Sequence, residues 1–486
     1  MRPASDIITA DAPTDLFIGG RWRESSDRSR FDVVDPATER IIASVASATV
    51  DDGLAALSAA SEASRAWSST SPRERAEVLR RAFDLVMREK EYLARLITLE
   101  NGKSLADARS EVAYAAEFFR WYAEEAVRGL GDVSRAPASG ARILVQHKPA
   151  GIALLITPWN FPLAMATRKI GPALAAGCTV IAKPASETPL TMLALMPLLE
   201  KAGVPAGVVN VLPSRRSGQL TDTLLQDIRV RVLSFTGSAE VGQTLLRSAA
   251  QNVVRSVMEL GGNAPFIVFE DADIAASVDG AIIAKMRNMG EACTAANRFL
   301  VHESVHDAFA TALAERMRGL RMGNGLDEGV ALGPLVNEAA RRRIFDLVED
   351  AVARGASVLS GGQIPEGVGY FYPATVLTDV PLGARIWNEE IFGLVAPIRT
   401  FRDEADAVQY ANDTVYGLVA YLYTRDLQRG LRVSEQLDVG MVGLNRGLVS
   451  DPAAPFGGTK HSGLGREGSH EGFKEFLETQ YVSAAW

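Results

Sequence analysis

Cysteine and histidine are scarce in this chain of 486 residues, which contains two cysteines and five histidines. Cys178 and Cys293 are too few to form a disulfide framework or a cysteine-rich metal site. The histidines show no ligand spacing such as HExxH, and the pair His302 and His306 has no nearby third ligand. The sequence therefore predicts a protein without a bound metal.

Long apolar runs and an excess of positive charge are also missing. No stretch reaches the roughly 18 uncharged apolar residues of a membrane helix, and residues 1–11 lack the apolar core of a secretory signal. The net charge of -8 argues against a surface for nucleic acids or anionic membranes. We therefore expect a cytoplasmic protein whose partners are small molecules.

The composition, 47% hydrophobic and 23% charged, is that of a globular protein with two or three domains. Residues 1–50 predict short strands separated by turns. A capping box at Ser71–Glu74 starts a helical periodicity that continues to Asn101-Gly102, and a second helix is predicted over Ser110–Val127.

From Gly151 onward, apolar runs alternate with amphipathic segments. The runs are Ile152–Ile156, Val180–Ala182, Val208–Leu212 and Val230–Phe235, and the segments between and after them lie near 163–176, 189–202, 217–226 and 239–250. This alternation predicts βαβ units and a parallel sheet buried on both faces. Because such sheets bind ligands at the carboxyl ends of their strands, polar residues at those positions are candidate site residues.

Three polar clusters follow predicted strands. Thr157–Pro162 carries Asn160, whose amide is able to donate to an oxyanion, although an aromatic turn packed on the core is an equal alternative. Lys183–Pro189 suits ribose hydroxyls or a phosphate, although a lysine at a strand end is usually just solvated. Phe235–Thr244 is a glycine-serine turn before a helix, which is a typical anion cradle.

Two further glycine-rich matches are weaker. Phe235–Thr244 nearly fits the P-loop, but Gln243 stands where the lysine belongs, which disfavours ATP chemistry. The GxGxxG at Gly463–Gly468 has no preceding apolar strand, so we interpret it as a structural turn of the tail. The last twenty-odd residues resemble a β-tail that is poorly buried alone and favour an oligomer contact.

Two reactive side chains stand farther along the chain. Glu259 follows a strand and precedes a glycine pair, where a desolvated carboxylate is able to act as a general base or to form an ordinary salt bridge. A second α/β pattern begins at Pro265–Phe269 and carries Cys293. By its own neighbours, this cysteine is equally well a nucleophile or a small buried hydrophobe.

Seven motifs in order resemble the aldehyde dehydrogenase superfamily over essentially the whole chain. They are Pro158-Trp-Asn-Phe-Pro, Lys183-Pro-Ala-Ser, Phe235-Thr-Gly-Ser, Glu259-Leu-Gly-Gly, Cys293, Glu390-Ile-Phe-Gly and Pro455-Phe-Gly-Gly. The resemblance implies an α/β fold of three parts. These are a Rossmann-like cofactor domain (1–125 and 145–258), an α/β catalytic domain (259–453), and a small β-arm (126–144 and 454–486) that builds dimers or tetramers.

The same resemblance implies residue roles. Cys293 matches the family nucleophile, Asn160 the side-chain donor to its oxyanion, and Glu259 the base that activates water to hydrolyse a thioester. The product expected from this chemistry is a free acid. The positions that match cofactor contacts are Trp159, Lys183, Ser186, Gly237, Ser238, Glu390 and Phe392.

Three departures from the family pattern qualify this interpretation. Ser186 replaces a glutamate that repels a 2′-phosphate in many NAD-preferring relatives, so we expect NADP to be accepted and preferred, with NAD possible. Leu394 replaces the proline that usually follows Glu-Ile-Phe-Gly, with no functional consequence that we derive. Ala295 replaces the second cysteine of some relatives, which excludes their disulfide switch.

Three further motifs are Thr167-Arg168-Lys169, Met286-Arg287-Asn288 and Gly447-Leu-Val-Ser450. Through them the resemblance within the family is strongest to succinate semialdehyde dehydrogenases. It implies that Arg168, Arg287 and Ser450 bind the distal carboxylate of the substrate. Each charge-assisted hydrogen bond from these arginines is worth roughly 1.5–3 kcal/mol, which disfavours uncharged aldehydes. Glutarate and 2-oxoglutarate semialdehydes are alternative substrates, and a non-catalytic relative with the same fold is the alternative from another class.

Overall fold

A computed structural model describes Thr9 and residues 11–486, so most of the N-terminal segment searched for a secretory signal lies outside the described residues. Within the part that is described, no helix is both long enough and apolar enough to cross a membrane. Nor do the described residues include a group of three or more His, Cys, Asp and Glu side chains that could hold a metal ion.

The first of two large sheets has eight strands, and its centre is parallel as the sequence predicts. In spatial order the strands are Arg21–Arg23, Leu16–Ile18, Val209–Val211, Thr179–Lys183, Ile152–Ile156, Val230–Thr236, Arg255–Glu259 and Gly463–Leu464. From Ile152–Ile156 the chain moves outward in one direction for two strands and then returns to the other side. The carboxyl ends of Ile152–Ile156 and Val230–Thr236 therefore flank a topological switch point, where open α/β sheets bind ligands.

Helices cover both faces of the first sheet. They are Val50–Ser69, Pro72–Arg88, Lys90–Asn101, Leu105–Ala126, Ala164–Ala176, Leu190–Ala202, Ser217–Leu225 and Ala239–Ala250. The strands at the centre of the sheet are entirely buried, as their continuous apolar sequences predict.

Two predictions for the N-terminal helices need correction. The single periodicity from Ser71 to Asn101 is two helices, because the backbone leaves helical geometry at Glu89, the residue shared by both ends. The helix predicted from Ser110 begins earlier, at Leu105, because the Ser104 side chain accepts a hydrogen bond from the backbone N–H of Asp107 at 3.2 Å.

The second large sheet has seven strands and holds the segment with the reactive cysteine. In spatial order these are Ser357–Ser360, Thr375–Thr378, Val395–Phe401, Ala296–His302, Ala264–Val268, Val419–Tyr423 and Met441–Leu444. Its helices are Ile274–Met286, His306–Arg318, Glu338–Ala353, Arg385–Asn388, Glu404–Asn412 and Leu427–Gln436, and the 3₁₀ turns are Arg287–Gly290 and Glu303–Val305. All strand pairs in this sheet are parallel except the edge pair of Ser357–Ser360 with Thr375–Thr378.

Three smaller sheets complete the chain. One has three strands, in the order Leu477–Ala484, Arg142–Pro149 and Asp132–Arg135, and two pairs are formed by Arg30–Asp35 with Arg40–Ala46 and by Tyr416–Gly417 with Thr459–Lys460. The short helix Ser469–Lys474 precedes the final strand. The strand Arg142–Pro149 runs through the domain boundary placed between residues 144 and 145, and the division into three domains stays a prediction.

Candidate active site

A groove of about 640 Å³ opens at the switch point of the first sheet. It forms because the ends of neighbouring parallel strands meet there, with Ile156 opposite Lys183 and Thr236 opposite Glu259. Five of the predicted cofactor residues line the groove: Trp159, Lys183, Ser186, Gly237 and Ser238. The spacing of strands in the sequence pointed to the three clusters that contain these residues, and the family resemblance gave them their predicted cofactor role. The register of the sheet brings them together.

Charge in the groove is more mixed than the sequence interpretation assumed. Burial lowers the pKa of Lys183 to about 8, although the nearby Glu187 carboxylate opposes this shift. The Ser186 hydroxyl donates a hydrogen bond to Glu187 at 3.2 Å. Glu187 thus supplies a carboxylate at the residue after Ser186, which itself replaces the glutamate of many NAD-preferring relatives. The sequence interpretation did not identify Glu187.

The turn between Phe235 and Ala239 brings backbone close to the groove. A Cβ atom at Gly237 would lie 2.4 Å from the Phe235 ring, so a larger residue there would have to displace that ring. The Ser238 hydroxyl accepts a hydrogen bond from the Val241 N–H at 3.4 Å and thereby caps the helix Ala239–Ala250. This helix start faces the groove and is available to an anionic group.

A second cavity, of about 390 Å³, continues from the groove and shares Trp159, Gly237 and Ser238 with it. This cavity gathers residues from elements that are far apart in the sequence. Its lining includes the remaining predicted site residues other than Glu259, namely Asn160, Arg168, Arg287, Cys293, Glu390, Phe392 and Ser450. The aromatic residues Tyr114, Phe161 and Phe456 also line it and were missed.

Cys293 lies in the segment between the turn Arg287–Gly290 and the strand Ala296–His302, with its thiol partly exposed to the cavity. Asn288, Met289 and Gly290 all adopt left-handed backbone conformations, with φ of 55°, 54° and 70°. A Cβ at Gly290 would come within 2.3 Å of the Gly393 carbonyl oxygen. At Asn288 and Met289 this conformation costs free energy, which is typical of functional segments, whereas glycine adopts it readily.

Burial favours the neutral form of the Cys293 thiol. Burial raises its pKa to about 12, more than the nearby positive charge of Arg168 lowers it, and the Glu259 and Glu390 carboxylates add to the increase. A nucleophilic thiol therefore needs a proton acceptor when the substrate binds.

Glu259 is the last residue of its strand and is 2% exposed. Neither carboxylate oxygen has a hydrogen-bond partner among the described residues. Burial, reinforced by the neighbouring Glu467, raises the pKa of Glu259 well above its usual range, while Arg168 and Lys169 act in the opposite direction. A carboxylate with a raised pKa binds a proton more readily than an ordinary one, which suits a general base.

Glu467 is a buried residue that the sequence interpretation did not identify. Its carboxylate lies 2.5 Å from the Lys169 ammonium and 3.5 Å from the Arg168 guanidinium. Glu467 belongs to the GxGxxG segment, and Gly463–Leu464 of that segment pairs with the strand that ends at Glu259. The segment is thus more than a turn of the tail, because it brings the Glu467 carboxylate, with its two cationic partners, close to the candidate base Glu259.

Asn160 directs its side chain toward the cysteine segment. Its Nδ2 donates a hydrogen bond to the Glu291 carbonyl oxygen at 2.8 Å, and its buried Oδ1 has no described partner. The amide therefore bonds to a carbonyl group two residues before Cys293, and both Asn160 and Cys293 line the same cavity. It would have to release the Glu291 carbonyl in order to donate to an oxyanion.

The two arginines in the cavity have different surroundings. Arg168 is 3% exposed; its guanidinium stacks 4.1 Å from the centre of the Phe456 ring, donates to the Tyr114 hydroxyl and pairs with Glu467. Arg287 is more exposed and lies 5.3 Å from the centre of the Phe161 ring, without an ion pair to any described carboxylate. Both arginines and Ser450 line the cavity, as the sequence predicts.

Glu390 and Phe392 stand where the groove meets the cavity. The Glu390 carboxylate accepts a hydrogen bond from the Gly262 N–H at 3.0 Å, and burial raises its pKa to about 7. Phe392 has a left-handed backbone with φ of 56°, and its ring meets the Trp159 ring edge-on at 5.3 Å. Leu394 is fully buried in the core of the second large sheet.

Comparison with known proteins identifies the family of this chain. Residues 22–482 match the model of the aldehyde dehydrogenase family. The chain belongs to the aldehyde dehydrogenase family. The resemblance seen in the sequence and the predicted α/β fold are thereby confirmed.

Several curated members of the aldehyde dehydrogenase family are similar over nearly their whole length. A succinate-semialdehyde dehydrogenase from Paenarthrobacter nicotinovorans is 56% identical, covering 92% of this chain and 99% of the relative. An Escherichia coli (strain K12) enzyme, named as a succinate-semialdehyde dehydrogenase for NADP(+), is 47% identical, and 96% of each chain is covered. A glutarate-semialdehyde dehydrogenase from Pseudomonas putida is also 47% identical, with the same coverage of 96% of both chains.

The fold of this aldehyde dehydrogenase family member is similar to that of solved structures. The crystal structure of succinate-semialdehyde dehydrogenase from Burkholderia pseudomallei superimposes with a TM-score of 0.97 at 45% identity, covering 100% of each chain. Such agreement over the whole chain means that both large sheets and the smaller ones share one architecture with that protein.

Proposed function

We propose that this protein oxidises succinate semialdehyde to succinate with NADP as the hydride acceptor. The observation that supports the proposal is the cavity, whose lining includes Cys293 together with Arg168, Arg287 and Ser450. A short aldehyde with a carboxylate at its far end suits such a cavity, because one end meets the sulfur and the other meets positive charge. The names of the similar enzymes support the same assignment.

In the proposed reaction the Cys293 thiol loses its proton to solvent, and its sulfur attacks the aldehyde carbon to form a thiohemiacetal alkoxide. The Asn160 amide and the Cys293 backbone N–H stabilise the alkoxide oxygen, and loss of hydride from this intermediate leaves a thioester. Glu259 then removes a proton from water, whose oxygen attacks the thioester carbon and releases succinate and the thiol. The buried, unpartnered carboxylate of Glu259 supports this role.

The residues of the groove fit a dinucleotide. NADP, when bound there, supplies the hydride acceptor. The helix start at Ser238 and the glycine turn before it are suited to the diphosphate, Lys183 and Ser186 to the adenosine ribose and its 2′-phosphate, and Glu390 to a second ribose. NAD remains an acceptable cofactor in this proposal, because the carboxylate of Glu187 lies beside Ser186.

A substrate panel tests the proposal. We expect kcat/KM for succinate semialdehyde to exceed that for butanal, a neutral aldehyde of the same chain length, by at least about a hundredfold, since two charge-assisted contacts are lost. Equal turnover of both aldehydes would contradict the proposal. A complete absence of NADPH formation with every aldehyde would instead favour the non-catalytic relative.

Glutarate semialdehyde is the second candidate substrate, and a similar enzyme is named for it. One methylene changes binding by only about 1–3 kcal/mol, so we expect measurable activity with this aldehyde and with 2-oxoglutarate semialdehyde. A higher kcat/KM for either of them than for succinate semialdehyde would reassign the preferred substrate.

We also propose a cytoplasmic homo-oligomer, either a dimer or a tetramer. The support is the three-stranded sheet, which presents exposed apolar side chains at Val133, Tyr481 and Val482. The three-domain division that places this sheet in an arm is part of the same proposal. Light scattering on the purified protein tests it, and a monomer at micromolar concentration would contradict it.

A further inference from the structure

We propose that the buried ion pair of Lys103 and Glu111 positions Asn160 for its role at the oxyanion. This inference rests on the proposed function, because it assumes that the Asn160 amide stabilises the alkoxide. Lys103 follows the helix Lys90–Asn101, and Glu111 lies in the next helix, Leu105–Ala126. Neither residue is among those that line the groove or the cavity. Both residues instead contact the loop that carries Asn160.

Lys103 holds the backbone of Asn160 itself. Its side chain is completely buried, and its ammonium donates to the Asn160 carbonyl oxygen at 2.7 Å and to the Glu111 carboxylate at 2.5 Å. The ammonium also lies 4.3 Å from the centre of the ring of Phe161, the residue after Asn160. One cation therefore contacts the carbonyl group of Asn160 and the side chain that follows it.

Glu111 fixes the other end of the same loop. Its second carboxylate oxygen accepts hydrogen bonds from the N–H groups of Leu163 at 2.9 Å and Ala164 at 3.2 Å. These groups open the helix Ala164–Ala176, whose first turn carries no side-chain cap of its own. The carboxylate thus ties the start of that helix to Lys103, and through Lys103 to Asn160.

A third contact links this ion pair to the segment that carries Cys293. The Asn288 side chain donates to the Asn160 carbonyl oxygen at 3.1 Å and to the Glu291 carbonyl oxygen at 2.9 Å. Asn288 is one of the residues in the left-handed conformation before Cys293. The Asn160 carbonyl oxygen therefore accepts hydrogen bonds from both Lys103 and Asn288. The Lys103 ammonium thus helps to set the distance between the loop that carries Asn160 and the segment that carries Cys293.

Stability alone does not account for this arrangement. Replacing a buried ion pair by neutral groups of similar shape is often neutral or stabilising, because both charges pay a desolvation penalty. Positioning gives the pair a different consequence, since a displacement of about 1 Å in a reacting group lowers the rate by up to about a hundredfold. The two roles therefore predict different results for a variant that folds well without the charges.

The test is the double variant Lys103→Met/Glu111→Gln, which removes both charges of the pair together and keeps an amide oxygen for the helix start. We expect its melting temperature to stay near that of the wild type and its kcat to fall by about tenfold to a hundredfold, with KM for the aldehyde and Kd for NADP little changed. Wild-type kcat in this variant would overturn the proposal.

Glu100→Gln is the matched control. Glu100 is also a buried carboxylate that accepts from the first N–H groups of a helix, those of Leu190 at 2.7 Å and Thr191 at 2.9 Å, but it does not contact Asn160. We expect this variant to retain wild-type kcat. An equal loss of kcat in Glu100→Gln would show a general effect of removing buried carboxylates and would overturn the proposal.

A double-mutant cycle with Asn160→Ala gives the readout that a purely structural role would not change. If the pair acts through Asn160, the double variant lowers kcat in the wild-type background and has little further effect in Asn160→Ala. Full additivity of the two losses would overturn this inference and leave the proposed function intact. Wild-type kcat in Asn160→Ala alone would instead remove the oxyanion role from the proposed function, and this inference with it.

Discussion

The groove and the cavity of this molecule differ in how they are built. The groove lies along the strand ends of one sheet, where the Glu187 carboxylate acts on the buried Lys183 ammonium and accepts a hydrogen bond from Ser186. The cavity is lined by segments from across the chain and contains the reactive Cys293 thiol, with the buried ion pair of Arg168 and Glu467 beside it. We infer that changes in the groove adjust affinity by small factors, whereas changes in the cavity remove whole steps of the reaction.

The largest effect is expected for Cys293→Ala, which removes the attacking sulfur from the cavity. NADPH formation, including any initial burst, should fall by at least about a thousandfold, because no thiohemiacetal forms. Stopped-flow absorbance of NADPH measures this. Cys178→Ala is the control, because Cys178 is buried away from the cavity and donates only to the Phe476 carbonyl oxygen at 3.3 Å. An unchanged NADPH burst in Cys293→Ala would contradict the inference that changes in the cavity remove whole steps of the reaction.

Glu259→Gln should separate the two halves of the reaction. The burst of NADPH should persist, while steady-state kcat falls by about 10²–10⁴ because thioester hydrolysis lacks its base. The wild-type kcat should rise with pH, since the raised pKa of Glu259 leaves the carboxyl protonated at lower pH, and this limb should be absent in the variant. Loss of the burst together with kcat would contradict the assignment of Glu259 to hydrolysis.

Arg287→Gln and Arg168→Gln test the difference between the two arginines. Arg287 has no described ion-pair partner, so its removal should lower kcat/KM for succinate semialdehyde by about tenfold to a hundredfold and leave butanal unaffected. Arg168 also neutralises Glu467 near the candidate base, so its removal should slow both aldehydes. The same pattern for both variants would mean that the arginines act alike.

Lys183 should give the groove a pH dependence. Because burial lowers its pKa to about 8, the lysine loses its positive charge as the pH rises through that value. The value of kcat/KM for NADP should therefore fall by roughly tenfold above pH 8, while that for NAD, which has no 2′-phosphate, falls less. Parallel profiles for the two cofactors between pH 7 and 9.5 would show that Lys183 does not contact the phosphate.

Glu187→Gln should produce the smallest change. Removing a partly exposed carboxylate beside the 2′-phosphate position should raise the ratio of kcat/KM for NADP over NAD by about fivefold, or about 1 kcal/mol. Ser186→Ala is the matched control, because it keeps the carboxylate and removes the hydroxyl that donates to it. The change in this ratio should become smaller at high salt. A change larger than about a hundredfold would contradict the inference that changes in the groove adjust affinity by small factors.

Much of the fold was predictable from periodicity. The strand Ile152–Ile156 and the helix Ala239–Ala250 have the same limits in the structure as in the sequence pattern, because a parallel strand buried on both faces reads as an unbroken apolar run. The break at Glu89 was not predictable in the same way, since apolar spacing continues through it.

The candidate site was also predictable only in part from the sequence. The sequence by itself determined which residues stand at the strand ends, such as Lys183, Ser238 and Glu259, and the order of seven motifs determined the family. Only the tertiary structure decided that Glu467 approaches Glu259 and that Lys103 holds Asn160. These contacts join residues far apart in the chain, and burial, which sets the protonation of Cys293 and Glu259, exists only once the sheets and the tail have packed together.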